Sequence, residues 1–142
     1  MIHLTRRYRF SASHRLDSPA LSASENIAVY GKCNHPYGHG HDYVMEVRVG
    51  GPLAGASGRV VDVPALDSLV EKQVLSRLRH SNLGAEAADL AGAVPTTENL
   101  ASGIARKLQE CWPEVFPGGL PRLESIRLHE TSRNFIETSE PL

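Results

Sequence analysis

Two long alternations constrain this chain more than any other feature of its sequence. In residues 2–14, IHLTRRYRFSASH, Ile2, Leu4, Tyr8, Phe10 and Ala12 share one parity, with Arg6 as the exception, and His14 ends the same series. In residues 39–49 the shared parity is carried by His39, His41, Tyr43, Met45, Val47 and Val49. Side chains two apart on a strand point to the same face, so both segments are read as strands.

The other segments follow different rules. Residues 15–38 have no clean period and hold Pro19, Gly31, Pro36 and Gly38. They predict a long loop, and loops of that length in a small domain are usually functional or mobile. Residues 50–58, GGPLAGASG, form a turn-rich connection, and RVVDV at 59–63 predicts a short strand. Pro64 suits the first turn of a helix over 64–79, where Leu66, Leu69, Val70, Val74 and Leu78 follow helical spacing and His80 stands at the end. Residues 84–95 are read as a connection. Thr96 is the N-cap of a second helix, with Glu98 in its first turn and Leu100, Ala101, Ile104, Ala105 and Leu108 as its stripe. Pro113, Pro117 and the Gly118-Gly119 pair end it. Residues 123–131 read as a strand with Ile126, Leu128 and Glu130 on one face, and NFIET (134–138) adds another. The order suits an α+β fold: an antiparallel sheet with both helices on one face.

Composition narrows the function classes. A chain of 142 residues is read as one domain, 1–142. A formal net charge of −1 gives no electrostatic case for nucleic acid or an anionic membrane. No apolar run reaches the length of a membrane span, and MIHLTRRYRF lacks the apolar stretch of a signal peptide. Two cysteines, Cys33 and Cys111, make no disulfide framework and point to a reducing cytoplasm. Cys111, beside Trp112 at a helix end, is read as core.

The chemistry concentrates in CNHPYGHGH, residues 33–41. His39 and His41 share a strand face and can reach one metal together. His14 has the parity to supply a third nitrogen. Three histidines with an open position is the arrangement of a catalytic zinc or another borderline divalent ion, and the chain has too few cysteines for a structural thiolate site. The alternative for each ring is a packed or surface histidine, the reading given to His3, His35 and His129.

FSASHRL (10–16), CNHPYGHGHDY (33–43), LRHSNL (78–83), PTTEN (95–99) and HET (129–131) occur in this order over nearly the whole chain. Together they resemble the 6-pyruvoyltetrahydropterin synthase family, which includes the 6-carboxytetrahydropterin synthases of queuosine biosynthesis. The resemblance implies a tunnelling fold, a four-stranded antiparallel sheet with two helices on one side. It implies trimers that close into a barrel, stacked in pairs as a homohexamer, with active sites between subunits. It implies 7,8-dihydroneopterin triphosphate as substrate and zinc held by His14, His39 and His41. Cys33 matches the family's catalytic cysteine and His80 its catalytic histidine. Glu130 resembles the carboxylate that anchors the pterin ring by accepting two parallel hydrogen bonds, and Thr96, Thr97 and Glu98 match a second pterin-contacting motif. Each has a plainer alternative: Cys33 as a small buried hydrophobe, Glu130 as an ion-pair partner, Thr96 as an ordinary cap.

One position departs from that pattern. The family's helix-end motif reads Leu-Asp-His, whereas here Arg79 stands between Leu78 and His80. An arginine disfavours an imidazolium beside it and suits phosphate. Asp62 and Asp67 are the carboxylates considered as replacements. The six-residue step from Cys33 to His39 looks like the pyruvoyl type rather than the carboxy type, which releases acetaldehyde. A non-catalytic zinc- and pterin-binding protein of the same fold is the reading that Arg79 keeps open.

Overall fold

β1 (Ile2–His14) and β2 (His39–Gly51) pair antiparallel along their whole length, from Ile2 opposite Gly51 to His14 opposite His39. This is seen in a computed structural model that describes residues 1–138. β2 pairs in turn with β4 (Arg122–His129), and β4 with the short β5 (Phe135–Glu137), both antiparallel. Between them in sequence lies β3 (Ser81–Asn82), which runs parallel to β1 beside Ala12 and Ser13. The sheet is therefore five-stranded and mixed, in the order β3-β1-β2-β4-β5, rather than four-stranded and antiparallel. Two residues are too few for an alternation to announce a strand.

The alternating faces meet the helices as expected. Phe10, Tyr43, Met45, Val47, Val49, Ile126 and Leu128 are buried beneath two helices. The first, α2, comprises Val63–Val70, a π-helical turn Glu71–Leu75 and a last turn Ser76–Leu78. It buries Leu66, Leu69, Val70, Val74, Leu75 and Leu78. The second, α3 (Thr97–Val115), buries Leu100, Ile104 and Leu108. Arg6 breaks the apolar series of β1 because its guanidinium reaches Asp67 of α2, with Nε at 3.1 Å and a second nitrogen at 2.9 Å.

Four local expectations change. The expected loop 15–38 contains a helix, α1 (Ala23–Tyr30), opened by a capping box between Ser22 and Glu25. Its one buried residue is Asn26, while Ile27 and Val29 are exposed, so no apolar stripe marks it. RVVDV is not a strand: Val61 is buried without a ladder partner, and Asp62 caps α2 by accepting from the Ala65 N–H. The connection after β3 holds two single-turn helices, Leu83–Glu86 and Ala88–Ala91. Pro113 lies inside α3, which continues to Val115. Among the described residues no helix is long and apolar enough to cross a membrane.

Candidate active site

The pairing of β1 with β2 decides the geometry of the histidines. His14 lies directly opposite His39, and Ala12 opposite His41, so all three rings stand on the helix-covered face at one end of the strands. His39 Nε2 is 3.2 Å from His14 Nε2 and 2.9 Å from His41 Nε2, and the three ligand atoms all lie within 4.8 Å of one another. His14 is 1% exposed, and its Nδ1 is 2.9 Å from the carbonyl oxygen of Pro95. A carbonyl only accepts, so Nδ1 carries the hydrogen and Nε2 presents its lone pair to the other rings. Burial is the largest influence on all three imidazoles and pushes each below the ordinary histidine value, toward the neutral form that binds metals. Three converging neutral imidazoles, with a backbone oxygen orienting one from behind, fit a divalent ion with an open position. Gly38 makes the approach possible: its φ is +70°, and a Cβ there would lie 2.7 Å from the His14 carbonyl oxygen.

Glu130 stands beside this cluster, one residue past the end of β4. Its Oε1 is 3.1 Å from His41 Nε2, and its Oε2 accepts from the Thr97 hydroxyl. Thr97 is buried in the first turn of α3. Thr96 caps that helix by accepting from the Asn99 N–H at 3.1 Å, and Glu98 points to solvent. Of that threonine-rich motif, then, Thr97 is the residue brought to Glu130.

Cys33 sits in a 3-10 turn, Gly31–Asn34, tied to the end of β1. Its carbonyl accepts from the Leu16 N–H at 2.7 Å, and buried Asn34 donates to the Leu16 carbonyl at 2.7 Å. Cys33 and His39 line one cavity of about 950 Å³ with Arg15, Ile27, Lys32 and His35. Burial first, and the Glu130 charge second, push the Cys33 thiol up. One contributor was not evident in the sequence as a site residue: the Pro95 carbonyl that orients His14 has no side-chain signature.

Comparison with known proteins bears on this arrangement. The family model for 6-pyruvoyl tetrahydropterin synthase matches residues 3–141. The chain belongs to the 6-pyruvoyl tetrahydropterin synthase family. It is 41% identical over 140 residues to the 6-pyruvoyl tetrahydrobiopterin synthase of Drosophila melanogaster, covering 97% of this chain and 79% of that protein. It superposes on the structure of Caenorhabditis elegans 6-pyruvoyl tetrahydropterin synthase with a TM-score of 0.86 at 33% identity, covering 97% and 94% of the two chains. It is also 26% identical over 152 residues to a 6-carboxy-5,6,7,8-tetrahydropterin synthase of Rickettsia felis, covering 96% of this chain and 99% of that protein.

In this member of the 6-pyruvoyl tetrahydropterin synthase family, Arg79 is engaged by a carboxylate of its own helix. Its guanidinium makes two contacts of 2.9 Å with the Glu71 carboxylate, eight residues earlier and about two helical turns back. Asp67 is held by Arg6 and by the Tyr8 hydroxyl at 2.8 Å, and Asp62 is a helix cap, so neither stands in for the family's aspartate. His80 itself adopts the left-handed conformation, φ 58°, and donates its backbone N–H to the Ser11 carbonyl at 2.6 Å. Its imidazole is exposed and is not part of the cavity wall that holds Cys33.

Proposed function

We infer that this protein is a lyase that converts 7,8-dihydroneopterin triphosphate to 6-pyruvoyltetrahydropterin with release of triphosphate, using zinc. The observation that carries the reading is the convergence of His14, His39 and His41 beside a carboxylate, Glu130, that Thr97 holds. The names of the Drosophila and Caenorhabditis relatives support the same reaction. His14, His39 and His41 hold the metal. A bound zinc ion supplies Lewis acidity that loosens C–H and O–H protons of the substrate side chain, and positive charge that favours a nearby thiolate.

The chain's own groups do the rest. Glu130 accepts two parallel hydrogen bonds from the 2-amino group and ring N–H of the pterin, while Thr97 keeps the carboxylate oriented. Thr96 and Glu98 belong to the same pterin-contacting segment. Cys33 accepts a proton from the side chain within the cavity it shares with His39. His80 carries a proton to or from the reacting carbons. The hydrogens move within the substrate as triphosphate leaves, so no external redox partner enters.

His80 lies outside the Cys33 cavity of its own chain, which favours sites completed by a second copy. β3 covers β1 only at Ala12 and Ser13, and His80 takes the Ser11 carbonyl, leaving the edge of β1 from Ile2 to Phe10 for another strand. Trimers joined edge to edge and stacked as a hexamer use that edge. Free Cys33 and Cys111 suit a cytoplasmic enzyme. The second reading is a 6-carboxytetrahydropterin synthase of queuosine biosynthesis, favoured by the Rickettsia relative. Incubating zinc-loaded protein with 7,8-dihydroneopterin triphosphate separates the readings. Triphosphate without acetaldehyde supports the pyruvoyl reaction, both together support the carboxy reaction, and neither product overturns both.

A further inference from the structure

Tyr43 is 1% exposed, and its hydroxyl is the one buried side-chain polar atom among the described residues without a hydrogen-bond partner. Its ring stacks on Phe10, opposite it on β1, at 4.9 Å, and meets the edge of His41 at 5.7 Å. A phenylalanine would keep both contacts without leaving a polar group unpaired. A buried unpaired hydroxyl lowers stability.

The pairing of β2 with β4 shows what lies next to that hydroxyl. Met45 faces Leu128, and Val44 faces His129. Continuing the same register, Tyr43 and Glu130 are the next opposed positions on the helix-covered face, and the Glu130 charge reaches the phenol. Glu130 has two oxygens to satisfy. Thr97 serves Oε2, and the nearest partner of Oε1 is His41 Nε2 at 3.1 Å. His41 lies within ion-pair distance of Oε1 without a formed hydrogen bond, and with Nε2 bound to a metal it has no hydrogen to turn toward this carboxylate, which is only 19% exposed. Metal loading thus leaves Oε1 without its nearest possible donor, beside the unpaired phenol, and one new hydrogen bond satisfies both.

We propose that Tyr43 is a positioning residue that donates its hydroxyl to Glu130 once His14, His39 and His41 hold a metal, setting the carboxylate for the pterin ring. The inference rests on the metal and pterin reading given above. It couples the two halves of the site: metal on one face of His41 releases Glu130 to Tyr43, and Glu130 then presents its outer lone pairs to the ligand. Tyr43 touches neither the metal nor the reacting atoms.

The test is Tyr43→Phe, with zinc as the probe. Calorimetric titration first establishes zinc binding to the wild-type chain, and absence of binding overturns the metal reading itself. Where zinc binds, the metal-free variant should melt at or above the wild type, because it loses only an unpaired hydroxyl. Added zinc should then raise its melting temperature by less than it raises the wild type's. KM for the pterin triphosphate should rise about tenfold, the ordinary worth of a hydrogen bond to a charged group, with a smaller change in kcat. Zinc should also shift tyrosine absorption in the wild type and not in the variant, a readout that needs no activity. Equal stabilisation by zinc, equal KM and identical difference spectra overturn the inference while leaving the metal reading in place.

Discussion

His14 and Pro95 are joined by one hydrogen bond, Nδ1 to carbonyl oxygen at 2.9 Å, across 81 residues of sequence. It ties the end of the first strand to the segment that opens α3, and it decides which nitrogen His14 offers to the site. His14→Gln should therefore lower zinc affinity at least as much as loss of an orienting partner does, about 10–100-fold. His39→Ala should lose zinc and turnover together. Metal analysis after dialysis, with circular dichroism as a check on folding, reads both outcomes.

Cys33→Ala should abolish turnover and keep zinc, because Cys33 lies in the cavity wall and is not one of the three clustered ligands. Full zinc content with normal triphosphate release would remove Cys33 from the chemistry.

Thr97→Val keeps the shape of the side chain and removes the donor to Glu130. The carboxylate then loses a charge-assisted hydrogen bond, worth about 1.5–3 kcal/mol. KM for the pterin should rise roughly tenfold or more, and steady-state kinetics against triphosphate release measures it. Ser102→Ala, at an exposed position one turn further along α3, is the comparison that separates a contact with Glu130 from a general disturbance of the helix.

Acid should weaken the metal-free fold before any carboxylate titrates. Burial holds the three clustered imidazoles below their ordinary value of about 6.5. Near and below that pH the unfolded chain binds more protons than the folded one, so stability rises with pH there and falls on acidification. Melting temperatures taken from pH 7.5 down to 5.5 should drop, and the drop should be shallower in His14→Gln. The same protons compete with zinc, so its affinity falls over the same window.

Gly103→Ala should destabilise the chain strongly. Gly103 lies in α3 against the turn Ala88–Ala91, and an added Cβ would fall far inside van der Waals contact distance of the Leu90 carbonyl oxygen. Neither helical backbone can give way cheaply. The overpacking should cost about 1–3 kcal/mol or more, read as a fall of several degrees in melting temperature.

Much of this molecule was legible in its residues, and the exceptions share a cause. β1, β2, α2 and α3 each bury one periodic face, and period is what a sequence displays. α1 buries only Asn26, held by the Ser18, Leu21 and Ser22 carbonyls, so hydropathy carries no trace of it. RVVDV has the apolar residues of a strand but buries Val61 in the core with no strand beside it to pair with. In the site, the parity of His39 and His41 was visible, and the ordered motifs placed His14 with them. The choice of Thr97 over Thr96 depends on which way the first turn of α3 faces. The pairing of Arg79 with Glu71 depends on a helical step between two exposed residues. The extra β-strand, Ser81–Asn82, exists only because His80 turns the chain back along β1.

The register of β1 against β2 has a consequence for how this chain is quality-checked as it folds. Slipping one strand by a single residue would turn His39 and His41 to the opposite face of the sheet, away from His14. The slipped hairpin could still form a ladder, yet it would have no site to fill. A metal ion therefore rewards only the correctly aligned pair, at the end of the strands where residues 15–38 join them. Zinc present during refolding should act as a proofreader, raising the yield of chains in the one alignment that can capture it.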